Sequence, residues 1–222
     1  MYSGSNSTNA PERMTQSGAL LRHLQRKGYV FKGSQPLCEA SITSKLSTGY
    51  ACLDKALHGG LGTGQLHEVQ LPQLFSGESR FLAGPIEYAR QHSAATFWLN
   101  PPAQPCLQGW QSLQRCFLVN ELSSRELHWT AHQLLHTLER GIIFIWHPQP
   151  DVQMVRSWQR AIQQNPGVFA LVFSDYMPKE ARAYQNRIQL CLNSYQLHFE
   201  VLKRHGGWPT STTPLPVQGV YL

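Results

Sequence analysis

Apolar residues recur along most of the chain in short runs that alternate between strand spacing and helix spacing. Runs with strand character cover residues 66–71, 95–99, 116–120, 142–146 and 168–173. Helical spacing of apolar residues predicts helices over 79–92, 123–140 and 154–164. Two further alternating runs, 187–193 and 196–204, predict a hairpin. Strands that alternate with helices through short connections predict an α/β fold, a doubly wound, mostly parallel sheet with an antiparallel C-terminal hairpin.

The helix predicted over 123–140 has the clearest boundaries. Ser123 and Glu126 match a capping box, in which each side chain binds the other residue's backbone amide. Gly141 is expected to end this helix after Arg140. The pattern 79–92 is a less regular helix, interrupted by Gly84 and Pro85.

Three histidines, His128, His132 and His136, recur every four residues along the helix over 123–140. The outer two lie roughly 12 Å apart at the rise of an α-helix, too far for one ion. The histidines are therefore interpreted as a polar stripe beside the core face, and no metal site is predicted.

The chain divides by composition into four parts. Residues 1–15 are polar and predicted to be disordered, and 16–46 hold a helix and a linker. The alternating pattern over 47–205 predicts the core domain, and 206–222 is treated as a C-terminal tail.

The composition of the chain limits the predicted cellular location and the kinds of partner. Five scattered cysteines form no C-x-x-C pair, which argues against a disulfide framework and a zinc knuckle and favours a reducing compartment. Because the sequence shows neither a secretory signal nor an apolar run of about 20 residues, it is predicted to be cytoplasmic, without membrane contact. The net charge of +6 would suit direct contact with DNA, and equally a solvated basic surface.

The stretch VQLPQLFSGESRFL (69–82) has the frame of a phosphate-binding loop but not its chemistry. The template G-x-x-x-x-G-K-[ST] places Pro72 at the first glycine and Glu78 at the lysine, whereas Gly77 and Ser79 fit. Pro72 removes an amide donor, and Glu78 puts a negative charge where phosphate charge must be neutralised. This degenerate loop is predicted to bind no nucleotide.

The residues before this loop resemble the start of the RecA-family core. They are Ser47-Thr48-Gly49, Leu53-Asp54, Gly59-Gly60 and Gly64, followed by the strand over 66–71. The resemblance implies a RecA-like fold with a catalytic glutamate and a metal-binding aspartate after two later strands. Here those positions hold Asn100 and, after Trp146, His147. With lysine, aspartate and glutamate all missing, the chain is predicted to be no enzyme and to use no cofactor.

Two bacterial families of the SOS response are similar in this way, ImuA and SulA. The segment EVLKRHGGWPTSTTPLPV (200–217) is similar to the ending of both families. The helix and turn LLRHLQRKGYVFKGSQ (20–35), followed by S-T-G and L-D, are more similar to ImuA. ImuA implies an adaptor of error-prone translesion DNA synthesis, with RecA, an ImuB-like polymerase and an error-prone polymerase as partners. SulA implies an inhibitor that binds FtsZ and blocks its polymerisation. A divergent NTPase that borrows Lys55 is the third alternative.

Candidate partner contacts lie in two basic clusters and one aromatic residue. The basic residues are Arg22, Arg26, Lys27, Lys203 and Arg204. Trp208 follows two glycines beyond the last predicted strand, where it is either tucked against the domain or exposed as a partner anchor. The tucked position is the favoured of the two.

Overall fold

The structure is a computed structural model that describes residues 44–104, 115–176, 182–193 and 196–216. The predicted disordered segment 1–15 and the N-terminal helix lie outside these ranges. The helices within them are α1 (Ala51–Ala56), α2 (Arg80–Gln91), α3 (Ser124–Thr137) and α4 (Val152–Ile162). The strands within them are β1 (Lys45–Leu46), β2 (Leu61–Gly62), β3 (Gln65–Leu71), β4 (Ala95–Leu99), β5 (Cys116–Val119), β6 (Arg140–Trp146), β7 (Gly167–Asp175), β8 (Asn186–Asn193), β9 (Gln196–Lys203), β10 (Thr210–Ser211) and β11 (Leu215–Pro216).

One large sheet organises these elements in the order β10-β9-β8-β3-β7-β6-β4-β5. Every pair from β8 to β5 is parallel, whereas β9 pairs antiparallel with β8, β10 and β11. The prediction of an α/β fold with a mostly parallel sheet and a C-terminal hairpin is confirmed. The segment treated as a tail contains β10 and β11, which extend the sheet beyond that hairpin.

Helices cover both faces of the sheet, as a doubly wound fold requires. On one face α1 and α2 bury Leu53 and Phe81, and on the other α3 and α4 bury Leu127 and Trp158. The central strand β6 is apolar on both faces, because its side chains alternate between these two cores. The arrangement leaves the carboxyl ends of the parallel strands at one edge of the sheet.

Helix α3 begins as predicted and ends earlier than predicted. The Ser123 hydroxyl accepts a hydrogen bond from the Glu126 amide, and the Glu126 carboxylate accepts from the Ser123 amide. The helix stops at Thr137, so the prediction that it runs to Arg140 is wrong.

A side chain that follows α4 in the sequence explains why α3 ends before Arg140. The Asn165 side-chain amide donates to the carbonyl oxygens of Leu135 (2.7 Å) and His136 (3.0 Å). These are among the last carbonyls of α3, which have no partner within the helix. Arg140 is then free to begin β6 opposite Gly167.

Helix α2 continues through Gly84 and Pro85, where the sequence pattern is interrupted. A Cβ atom at Gly84 would lie 2.1 Å from the carbonyl oxygen of Ser47. The glycine therefore lets α2 approach the segment before α1. Among the described residues, no helix is long and apolar enough to cross a membrane.

Candidate functional site

The loop of residues 72–79, which was compared with a phosphate loop from its sequence, joins the carboxyl end of β3 to the start of α2. Strand β3 lies between β7 and β8, inside the parallel part of the sheet. In open α/β sheets, ligands bind at the carboxyl ends of the strands. The loop therefore occupies the position where a ligand site is expected in this architecture.

The Glu78 side chain fills the interior of this loop. Its Oε1 atom accepts a hydrogen bond of 2.6 Å from the Phe75 amide, and the residue is only 5% exposed. The carboxylate also lies just before the amino end of α2, where the helix dipole favours an anion. A loop amide of the kind that would serve a phosphate group is thus directed at the protein's own carboxylate.

The loop backbone turns two apolar side chains into solvent. Phe75 has φ of 63°, a left-handed conformation that is rare for a bulky residue, and Gly77 has φ of 104°. The Ser76 hydroxyl donates to the Gln73 carbonyl at 2.8 Å and closes the turn. As a result Leu74 is 49% exposed and Phe75 is 69% exposed.

The S-T-G and L-D residues form a single hydrogen-bonded unit, the STG turn (residues 47–54). The Asp54 carboxylate accepts from the Ser47 hydroxyl (2.6 Å), the Thr48 hydroxyl (2.7 Å) and the Thr48 amide (2.8 Å). Gly49 has φ of 79°, and a Cβ atom there would lie 2.5 Å from the Arg80 carbonyl oxygen. These residues therefore have a structural role. Ser47, Thr48 and Asp54 hold the turn together, and Gly49 leaves room for the Arg80 backbone.

The STG turn supports the loop through Tyr50. The Tyr50 hydroxyl donates to the Gly77 carbonyl at 3.0 Å, and burial raises the pKa of Tyr50 to about 12. The Arg80 guanidinium lies over the Tyr50 ring, 5.3 Å from its centroid. Lys55, which the NTPase alternative would need, is exposed on α1.

Asn100, at the position of the expected glutamate, holds a neighbouring loop. Its side-chain amide donates to the Leu122 carbonyl at 2.7 Å and accepts from the Leu122 amide at 2.9 Å. An ionised carboxylate could accept from that amide but could not donate to the carbonyl. Both polar groups of the Asn100 side chain therefore link the end of β4 to the loop before α3.

His147 and Trp146 take the place of the expected aspartate at the end of β6. The His147 Nε2 atom is 2.9 Å from the Ser124 hydroxyl, and burial lowers the pKa of this histidine. Trp146 stacks against Trp98 and Phe173, with ring centroids 5.8 and 4.8 Å apart. A neutral imidazole and an indole cannot replace the charge of a metal-binding carboxylate.

The candidate basic contacts lie away from the loop. Arg22, Arg26 and Lys27 fall outside the described residues. Lys203 donates to the Arg182 carbonyl at 3.1 Å, and Arg204 donates to the Ala56 carbonyl at 2.6 Å. Lys203 ends β9 and Arg204 follows it, so both lie at the amino edge of the parallel strands, because β9 runs antiparallel to β8.

Trp208 is 85% exposed, so the expectation that it is tucked against the domain is wrong. It follows the bridge between Arg204 and Gly207, a tight turn that directs the chain into β10. The indole is left in solvent at the edge of the sheet opposite to the loop.

Sequence reasoning missed the exposed apolar side chains around the loop. Besides Leu74 and Phe75, Tyr176 after β7 and Leu192 near the end of β8 are large and exposed. All four lie at the carboxyl ends of three adjacent strands, β8, β3 and β7. The available signal was the pair Leu74-Phe75 within a loop, where solvent-facing residues are usually polar.

Comparison of the chain with protein-family models gives no match, and comparison with curated proteins gives no significant match.

Proposed function

We propose that this protein is a non-catalytic, RecA-like adaptor of an SOS-induced, error-prone translesion DNA synthesis complex. The assignment to that complex rests on the sequence resemblance to the ImuA family. The absence of catalysis rests on the loop between β3 and α2, together with Asn100 and His147.

The single structural observation that supports the non-catalytic part of the proposal is the hydrogen bond from the Phe75 amide to the Glu78 carboxylate. A bound nucleotide would have to displace this carboxylate, and its phosphates would be repelled by the same charge. Asn100 and His147 supply neither the carboxylate that would activate water nor the carboxylate that would hold Mg²⁺ at the γ-phosphate. The loop is then free of the sequence constraints of a nucleotide site.

What the loop offers instead is an exposed apolar tip. Leu74 and Phe75 project from a turn that is held below by Tyr50 and the STG turn. Exposed aromatic side chains on a fixed backbone are typical of the residues that contribute most to protein interfaces. In the proposed function this tip, here called the Leu74–Phe75 tip, contacts a protein partner.

Affinity purification of the tagged protein from DNA-damaged cells of its own host tests the proposal. Recovery of an ImuB-like polymerase, with or without RecA, is the expected result. Recovery of FtsZ without any polymerase would replace the proposal with a SulA-like division inhibitor.

A nucleotide assay tests the non-catalytic part separately. The purified chain is expected to show no ATP hydrolysis above background, with or without single-stranded DNA and Mg²⁺. Turnover that is lost on substituting Lys55 would support the divergent NTPase and overturn this part of the proposal.

A further inference from the structure

Three side chains with metal-ligating atoms converge on the hairpin of β8 and β9. Cys191 lies directly opposite His198 in the register, and Glu200 follows two residues later along β9. Because side chains alternate along a strand, His198 and Glu200 point to the same face, the one that also carries Cys191. The thiol, an imidazole nitrogen and a carboxylate oxygen all lie within 4.8 Å of one another.

The hairpin holds the three residues close together. All three residues are half-buried, and the opposite face of the hairpin is packed into the core through Leu190, Leu197 and Phe199. The strand backbones therefore fix the positions of the three Cα atoms. Side-chain rotation that also releases the Cys191 thiol from its hydrogen bond with Tyr176 would bring the ligand atoms to the separation of about 3.5 Å that a tetrahedral ion imposes.

We propose that Cys191, His198 and Glu200 form a three-ligand site for a zinc-class divalent ion. A thiolate, an imidazole and a carboxylate together match the ligand preference of Zn²⁺ and do not suit Mg²⁺ or Ca²⁺. Three protein ligands leave a fourth coordination position for water or for a side chain of another protein.

The ion would connect the two strands of the hairpin on the face that the apolar core does not cover. Strand β9 also holds β10 and β11, so its position decides the arrangement of the whole C-terminal edge. A metal that binds only the folded chain stabilises it by an amount that grows with the logarithm of the metal concentration above Kd. The inference is independent of the proposed function, because it involves neither the loop nor a polymerase.

The test uses the purified full chain, freed of metal with a chelator and then titrated with Zn²⁺ or Co²⁺. The wild type is expected to bind one Zn²⁺ at this site, to gain thermal stability, and to show thiolate-to-Co²⁺ charge-transfer absorption. Cys191→Ser should abolish the absorption and weaken Zn²⁺ binding by at least about 100-fold, because the loss of a hydrogen-bonding partner outside the ligand shell already costs about 10- to 100-fold. Cys116→Ser is the matched control, since Cys116 is a half-buried cysteine on β5 at the far edge of the sheet.

A second variant keeps the test informative if Cys191→Ser fails to fold. Glu200→Gln retains the side-chain shape, and should weaken Zn²⁺ binding while the thiolate-to-Co²⁺ absorption persists. Absence of stoichiometric Zn²⁺ binding, or absorption that survives Cys191→Ser but disappears in Cys116→Ser, would overturn the proposal.

Discussion

The Glu78 carboxylate, at the position of a phosphate-loop lysine, accepts a hydrogen bond from the Phe75 amide inside the loop. The loop thereby supplies both the anion and the backbone amide that binds it. Sequence comparison with a phosphate loop identified the charge of Glu78 as unfavourable for nucleotide. It could not show that the carboxylate folds back, since that depends on the left-handed backbone of Phe75.

Glu78→Lys is expected to leave the protein without ATPase activity, because Asn100 and His147 are unchanged. The substitution should also lower the free energy of unfolding by roughly 1–3 kcal/mol, since the Phe75 amide loses its acceptor. Glu78→Gln keeps an acceptor oxygen and should cost less than about 1 kcal/mol. Urea unfolding and an ATP turnover assay measure both effects, and ATP hydrolysis by Glu78→Lys would refute the explanation.

His67 on β3 is a second residue whose role only the structure reveals. Its ring is fully buried, with Nε2 2.8 Å from the Gly62 carbonyl oxygen and Nδ1 3.0 Å from the Asn186 side-chain nitrogen. The Asn186 side-chain oxygen accepts from the His205 amide, so its nitrogen donates to His67. Nδ1 is therefore an acceptor, and Nε2 carries the proton of a neutral ring.

This arrangement predicts a loss of stability on acidification. Burial lowers the pKa of His67 to about 4, from 6.5 in an unfolded chain, and the charge of Lys45 adds to the effect. Between these two values the unfolded state binds more protons than the folded state, so stability falls as pH falls from 6.5 to 4. The contribution of His67 over this window is roughly 3 kcal/mol.

Urea unfolding at several pH values measures the effect. His67→Asn should flatten the dependence of unfolding free energy on pH between 6.5 and 4, even if it lowers stability throughout. His136→Gln, at an exposed histidine of α3, is the control and should leave the slope unchanged. An unchanged slope in His67→Asn would contradict the assigned protonation state.

At the scale of elements, two serines precede two helices and differ in what they do. Ser123 caps α3 through the capping box. Ser79, the residue of the phosphate-loop template, precedes α2 with a helical backbone and forms no side-chain cap. A serine side chain therefore caps the amino end of α3, whereas the serine before α2 does not cap that helix.

Ser123→Ala is expected to destabilise the protein by about 1 kcal/mol, whereas Ser79→Ala should change stability by less than about 0.5 kcal/mol. Thermal or urea unfolding of the two variants under identical conditions provides the comparison. Equal losses would show that the difference in capping does not matter for stability.

The elements were largely predictable because their signals are local. Alternation and short apolar runs identified strands β3 to β9, and the spacing of Ser123 and Glu126 identified the start of α3. The end of α3 was not predictable, because Asn165 supplies its capping amide from about 30 residues away along the chain. Likewise, the pairing of β10 and β11 with β9 depends on contacts that such short segments do not reveal.

At the scale of the whole molecule, the topology separates two sets of candidate contacts. The Leu74–Phe75 tip lies at the carboxyl edge of the parallel strands, and Lys203, Arg204 and Trp208 lie at the amino edge. The sequence identified the second set through its charge and its glycine-rich turn. It missed the first set, because apolar residues beside a phosphate-loop template were assigned to the template and not to a surface.

The separation of the two edges allows a paired measurement of the central claim, that a protein partner binds where a nucleotide would. Affinity purification from DNA-damaged host cells is performed with the wild type, Phe75→Ser and Trp208→Ser, each checked for an intact fold. We expect an ImuB-like polymerase to be recovered with the wild type and with Trp208→Ser. With Phe75→Ser its recovery should fall at least tenfold, which corresponds to about 1.4 kcal/mol of binding free energy. Undiminished recovery with Phe75→Ser, or recovery of no such polymerase with the wild type, would contradict the claim.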